Sequence, residues 1–205
     1  VSKANSSPDT RRRILDSAHK LFHRNGYQAV GINAICTDAA VVKGSFYHFF
    51  PSKQALLSVV LEELTAGQQV AMQNARRQST SGREAIMAYF GNWLESAEEQ
   101  LNSGGQVLGC CLGLLSAELS CSDPETRKLL QNSFSDWQKQ WKEQIRAGIE
   151  DGSIAPSVDP AHTADTLLAL LQGLSTLGRT GMPLHRMRES ALLGIKRLLP
   201  VPSSS

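Results

Sequence analysis

The chain has 205 residues, 41% of them hydrophobic and 20% charged, with a formal net charge of +2. This balance supports a packed core and excludes an intrinsically disordered chain, and the length suits one to two domains. No apolar run reaches the roughly 18 residues that cross a bilayer, and the stretch 1–10 is polar, so neither a membrane span nor a secretory signal is expected.

Apolar spacing of period 3.6 runs through most of the sequence and strand patterns are almost absent, which predicts an all-α protein of about nine helices. A first helix is expected from Pro8 or Asp9 to about Asn25, with Ile14, Ala18, Leu21 and Phe22 on one face. Asn25-Gly26 stops it, because both residues tolerate left-handed backbone. Two short helices follow near Ile32–Ala39 and Val42–Phe49. Pro51-Ser52 ends the second, and Ser52 can cap a long helix reaching about Arg77. After the linker Ser79–Gly82, a helix from about Arg83 to Leu101 carries Ile86, Phe90, Trp93, Ala97 and Leu101 in register. Asn102–Gly105 ends it, and a mostly apolar helix is expected over about Gln106–Ser120. Ser122-Asp123-Pro124-Glu125 reads as the cap, first-turn proline and first-turn acid of a helix running to about Asp151, striped by Leu130, Phe134, Trp137, Trp141, Ile145 and Ile149. Gly152 and Pro156 stop it. Two further helices fit Pro160–Thr180 and Pro183–Leu199, followed by a loose tail.

Charge is unevenly spread. Residues 1–60 carry eight Lys or Arg against three Asp, whereas the remainder carries 13 basic against 16 acidic residues. A basic front on a mildly acidic body points to a polyanion that meets only the first quarter; an unevenly charged, solvated surface is the alternative. Within that front, two short helices joined by a tight turn suit a helix-turn-helix, whose second helix enters the major groove. Lys43 then stands in position for a phosphate or a guanine edge. Gly44 lets backbone approach DNA closely, and Tyr47 and His48 bring a hydroxyl and an imidazole within phosphate reach. Lys53 aims a cation from a helix N-terminus that attracts anions. Arg11, with Arg12 and Arg13, would grip the flanking backbone, while Phe46, Phe49 and Phe50 read as core.

Thr10-Arg-x-x-Ile-Leu-x-x-Ala-x-x-Leu-Phe-x-x-x-Gly26-Tyr27, followed by Ala39-x-Val-x-Lys-Gly-Ser-Phe-Tyr-His-x-Phe-Pro-Ser-Lys53-x-x-Leu56, resembles the TetR family of bacterial repressors. The resemblance covers about residues 10–57. It implies an all-helical fold, binding of double-stranded operator DNA as a homodimer, and release by a small-molecule inducer. The division it implies is a helix-turn-helix domain over residues 1–57 and a ligand-binding and dimerisation domain over residues 58–205. There are departures from the family pattern. Gly31 supplies no hydroxyl where Thr or Ser is usual, and Ala40 and Val42 replace the Gly and Ser common in the turn. Val42 cannot cap the recognition helix, a loss of roughly 1 kcal/mol.

In the body, Leu167, Leu168, Leu170, Leu171, Leu174 and Leu177 place apolar groups on more than one face of a single helix. Such a helix is either central in the monomer or at a subunit interface. The family resemblance favours the interface, with the last helix adding Leu184, Met187, Ala191, Ile195 and Leu198. Met72, Tyr89, Trp93, Trp137 and Trp141 are candidate pocket residues or core. Few charges interrupt their stripes, so a mostly uncharged ligand is expected.

Four cysteines, two of them adjacent at Cys110 and Cys111, make no disulfide framework and fit a reducing cytoplasm. Cys110 and Cys121 on one helix would lie roughly 16 Å apart, beyond bridging reach. The segment Gly109–Leu119 is similar to one in the NemR-like subgroup of the family, which includes electrophile-responsive repressors, and Cys110 falls on that subgroup's cysteine. Against a sensor role, no Lys, Arg or His lies between Asn102 and Ser122 to depress a thiol pKa. Both an electrophile sensor and a buried small hydrophobe remain open for Cys110 and Cys111.

An enzyme is not expected: there is no G-x-S-x-G, P-loop, G-x-G-x-x-G or H-E-x-x-H. The five histidines make no metal-ligand spacing with cysteine, so neither a metal nor a cofactor is expected. Asn5-Ser-Ser matches a glycosylation sequon, which has no use without secretion. The rival class is a helical protein-interaction adaptor without DNA binding, which would have no need of Lys43, Tyr47 and Lys53 together.

Overall fold

The structure, a computed structural model, describes residues 8–119 and 124–202. The Asn5 sequon, Cys121, the Ser122-Asp123 cap and the end of the serine tail lie outside the described residues. Nine helices and no strand are found among the described residues: α1 (Pro8–Asn25), α2 (Ile32–Asp38), α3 (Lys43–Phe49), α4 (Lys53–Arg77), α5 (Gly82–Gly104), α6 (Cys111–Leu119), α7 (Pro124–Glu150), α8 (Pro160–Arg179) and α9 (Leu184–Leu198). No helix among these residues is long and apolar enough to cross a membrane.

Most boundaries fall within a residue or two of those expected, because the caps behave as their chemistry dictates. The Ser52 hydroxyl accepts from the Ala55 N–H at 3.0 Å at the start of α4, and Ser81 accepts from the Glu84 N–H at 3.2 Å at the start of α5. Asp159 does the same for the His162 N–H at 2.7 Å ahead of Pro160.

Two helices depart from their expected spans: α5 runs to Gly104, three residues beyond Leu101, and α6 departs further. Instead of starting near Gln106, α6 begins at Cys111, so Cys110 precedes it rather than lying in its first turns. The reason is Gly109, whose φ of +72° a continuing α-helix cannot hold; a side chain there would also meet the Ser175 carbonyl at 2.7 Å. Side chains satisfy the backbone that the missing turns would have paired. The Leu108 N–H donates to Gln100 Oε1 at 2.8 Å, and Arg179 Nη1 donates to the Leu108 carbonyl at 2.9 Å.

The chain divides into two compact units, Val1–Leu64 with Cys111–Ser133, and Thr65–Cys110 with Phe134–Ser205. In the first, α1 packs on α2, α3 and α6. Ile14, Leu15, Ala18 and Phe22 of α1 are fully buried, and Ile35, Phe46, Leu56, Val60, Leu112 and Leu115 complete the core. Leu21, expected on the inner face, is only half-buried, while Leu15 is buried. In the second unit, α5 and α8 both pack on α9. Its interior is aromatic: Tyr89, Phe90, Trp137 and Trp141 are buried, with Ile86, Ile145, Leu167, Leu171 and Met187 around them. Trp93 is half-buried and Leu101 is exposed, although both were expected on the inner stripe of α5.

Candidate nucleic-acid interface

In α3, Phe46 and Ser45 are buried and Phe50 follows them inward, leaving the opposite side of the helix outermost. Lys43, Gly44, Tyr47 and His48 share that outer side, and all four are exposed. Tyr47 is 52% exposed, its ring edge-on to Phe46 at 5.4 Å, so the buried phenylalanine orients the exposed phenol. The His48 ring meets Phe49 edge-on at 4.8 Å, and Phe49 is half-buried where a core residue was expected. A side chain at Gly44 would meet nothing within 4 Å, so backbone is open to approach there.

The turn between α2 and α3 is held from behind. Ala40 takes φ +51°, a conformation glycine reaches without cost. Arg13 Nη1 donates to the Ala39 carbonyl at 3.1 Å, tying the turn to α1. Lys20 Nζ pairs with Asp38 Oδ1 at 2.5 Å at the end of α2. That contact holds the Asp38 carboxyl below its usual range. The buried Ser17 hydroxyl donates to the Ile35 carbonyl at 3.2 Å. Neither Gly31 nor Val42, the residues that precede α2 and α3, supplies a side-chain cap.

The basic residues divide by where they point. Arg11 is exposed, its guanidinium 5.4 Å from the centroid of the Phe50 ring. Arg12 is neutralised, with Nε on Asp16 at 2.8 Å and Nη1 on Glu63 at 3.1 Å. Lys53 differs most from expectation. Its ammonium is turned inward, donating to the carbonyls of Tyr27 at 3.0 Å and Val30 at 2.9 Å, with the Tyr27 ring centroid 4.1 Å away. Burial lowers its pKa, opposed by the charge of Glu118.

Of the candidate ligand residues Tyr89, Trp93, Trp137, Cys110 and Cys111, the structure brings together Tyr89, Trp137 and Cys110 in the second unit. The Tyr89 hydroxyl donates to Gln68 Oε1. Its ring lies 6.3 Å from Trp137 and 5.4 Å from Trp141. Burial, with the nearby Cys110, raises the phenol pKa far above its ordinary value. Trp137 Nε1 lies close enough to affect that phenol but completes no hydrogen bond of normal geometry, and Trp141 Nε1 is buried without a partner. Gln172 Nε2 reaches Cys110 Sγ at 3.4 Å. Trp93 touches Phe90 at the edge of the cluster, and Cys111 belongs to the first unit. A cleft of about 400 Å³ opens elsewhere in the second unit, between Gln69, Met72 and Arg76 of α4 and Lys139, Glu143 and Gln144 of α7. Of the residues expected to line a pocket it holds Met72 alone, and its charged lining contrasts with the mostly uncharged ligand expected. No group of three or more His, Cys, Asp or Glu able to hold a metal is found among the described residues.

Glu118 of α6 is the residue the sequence reading passed over. Its carboxylate accepts the backbone N–H groups of Tyr27 at 2.8 Å and Gln28 at 2.6 Å. The available signal was its isolation, since it is the single charged residue of α6.

The family model described as bacterial regulatory proteins, tetR family, matches residues 14–60, and that described as Tetracyclin repressor-like, C-terminal domain, matches residues 82–190. The HTH-type transcriptional repressor DhaR of Mycobacterium sp. (strain GP1) is 30% identical over 164 residues, covering 80% of this chain and 79% of that protein. The HTH-type transcriptional repressor NemR of Escherichia coli (strain K12) is 25% identical over 196 residues, covering 95% of this chain and 96% of its own. Among solved structures, a cysteine mutant of the TetR family transcriptional regulator CifR, complexed with 26-bp double-strand operator DNA, superposes with a TM-score of 0.77 at 22% identity, covering 96% of this chain and 98% of that one. The chain therefore belongs to the TetR family of bacterial transcriptional regulators.

Proposed function

We propose that this regulator is a repressor that binds operator DNA as a homodimer and is released by a small ligand. The observation that carries the reading is the outer side of α3: Lys43, Gly44, Tyr47 and His48 are exposed together while Phe46 and Phe50 anchor the helix beneath them. This arrangement suits a helix laid in the major groove. Arg11 extends the contact to the flanking phosphates, and Lys53 contributes by holding the backbone from which α2 begins. Relatives described as repressors and the operator complex of CifR support the same assignment.

A homodimer is supported by α8 and α9. Leu177, Leu192 and Leu193 are about half exposed there, a cost that burial against a second copy would remove. For the ligand, the second unit offers a buried donor without a partner at Trp141 and a buried acceptor at Gln144 Oε1, which lines the cleft. Arg76, Arg77 and Lys139 outnumber Asp136 and Glu143 there by one charge, which suits a polar molecule that is neutral or carries a single negative charge. Cys110, half-buried beside Tyr89, is the group a thiol-reactive electrophile would meet in that unit, while Cys111 is buried. Each tenfold loss of DNA affinity on ligand binding requires about 1.4 kcal/mol of coupling.

The test is selection of bound duplexes from a random-sequence pool by the full-length protein, followed by sedimentation of the complex. A palindromic consensus bound by an even number of subunits is expected. Enrichment of no sequence would overturn operator binding and leave the adaptor.

A further inference from the structure

The loop 26–31 joins α1 to the helix pair that carries the exposed face, and it is gripped from two sides by opposite charges. From one side, Glu118 of α6 accepts the N–H groups of Tyr27 and Gln28. From the other, Lys53 of α4 donates to the carbonyls of Tyr27 and Val30 and covers the Tyr27 ring. An anion on the donors and a cation on the acceptors aligns with the peptide dipoles, and hydrogen bonds to charged groups are stronger than neutral ones. The two side chains also attract each other. Gly26 makes the approach possible: it holds φ +81°, and a side chain there would meet Glu118 Oε2 at 2.8 Å. The Tyr27 ring is fixed in turn against Phe22 at 5.3 Å.

We propose that Glu118 is a positioning residue for DNA binding, clamping the loop 26–31 with Lys53 and so setting where α2 and α3 stand against α1. It does this without touching DNA. This inference rests on the operator-binding reading and assigns to α6 a residue on which that binding depends.

The experiment uses the full chain and an operator duplex selected from a random pool by the wild-type protein. Glu118→Gln keeps the shape of the side chain but removes the charge and turns one acceptor into a donor. Glu118→Ala removes the carboxylate from the Tyr27 and Gln28 N–H groups and leaves a space beside them. Both variants are expected to keep wild-type helix content and to bind the operator at least tenfold more weakly, with faster hydrogen exchange at the Tyr27 and Gln28 amides. Acetate, compared with chloride at equal ionic strength, is expected to restore at least threefold of the affinity lost by Glu118→Ala, because a free carboxylate can occupy the vacated amides.

Operator affinity of Glu118→Gln within twofold of wild type would overturn the inference, as would the absence of any difference between acetate and chloride. Loss of the fold in both variants would make Glu118 a stability residue and overturn its positioning role. A wild-type protein that selects no duplex would instead defeat the operator-binding reading, so the two failures are distinguishable.

Discussion

At Ala40 the backbone takes φ +51°, in a turn where the family commonly has glycine. Left-handed backbone costs an L-residue about 1–2 kcal/mol, of which the greater chain entropy of unfolded glycine returns up to about 1 kcal/mol. Ala40→Gly is therefore expected to stabilise the protein by about 0.5–1 kcal/mol, seen as a higher urea midpoint at unchanged slope. Val42 presents the complementary case two residues on. It occupies the cap position of α3 with extended backbone, is 60% exposed and offers no acceptor. Val42→Ser is expected to add about 1 kcal/mol by the same measurement. Both departures were legible in the sequence, because turn and cap chemistry depends on neighbours in the chain. Lys53 was not, since its carbonyl partners lie more than twenty residues away and only folding brings them together. Replacing it with Met should cost about 1–3 kcal/mol by leaving two carbonyls without their charged donor. It should leave the salt dependence of DNA affinity unchanged, and a flattened salt dependence would return Lys53 to the phosphate contacts.

Carboxylates join the serines in holding helix ends here. Asp151 accepts from the Gly82 N–H at 2.8 Å and the Ser153 N–H at 2.9 Å, so an acid at the end of α7 caps the start of α5. Desolvation raises its pKa, but these hydrogen bonds outweigh that and hold it below the usual range. Asp159, through the His162 N–H, Asp16, through Arg12, and Asp38, through Lys20, are lowered as well. A carboxyl with a depressed folded pKa contributes stability that is complete above its unfolded pKa of about 4 and lost as pH falls through the folded value. The thermal midpoint is thus expected to hold between pH 7 and 5 and to fall between pH 4 and 2, with Asp151→Asn showing a smaller fall. The sequence placed the start of α8 at Pro160 but did not name the residue before it, Asp159, as its cap. It could not announce Asp151, whose partner Gly82 is 69 positions distant. The late start of α6 was hidden for a related reason: residues 106–110 continue the apolar pattern of the segment that follows, and Gly109 breaks the helix where the chain passes close to the Ser175 carbonyl.

For the molecule as a whole, the nine-helix order and the recognition helix follow from period and motif, while the ligand site does not. Aromatic residues at helical spacing form both cores and pockets, and the aromatic cluster here is closed around Trp137 and Trp141 while the open cleft is polar. The apolar residues left exposed on α8 and α9 carry a prediction at this scale. On the proposed homodimer, Leu192→Glu with Leu193→Lys is expected to yield a folded monomer by sedimentation, with operator affinity reduced at least a hundredfold because paired half-sites would no longer be held together.

The central claim, that the exposed side of α3 reads DNA, is tested most directly by fluorescence-anisotropy titration of the selected operator at several salt concentrations, with wild-type protein and Lys43→Ala. The account predicts steep salt dependence for the wild type, and for Lys43→Ala at least tenfold weaker binding with the slope reduced by about one. Equal affinity and equal slope for the two proteins would contradict it.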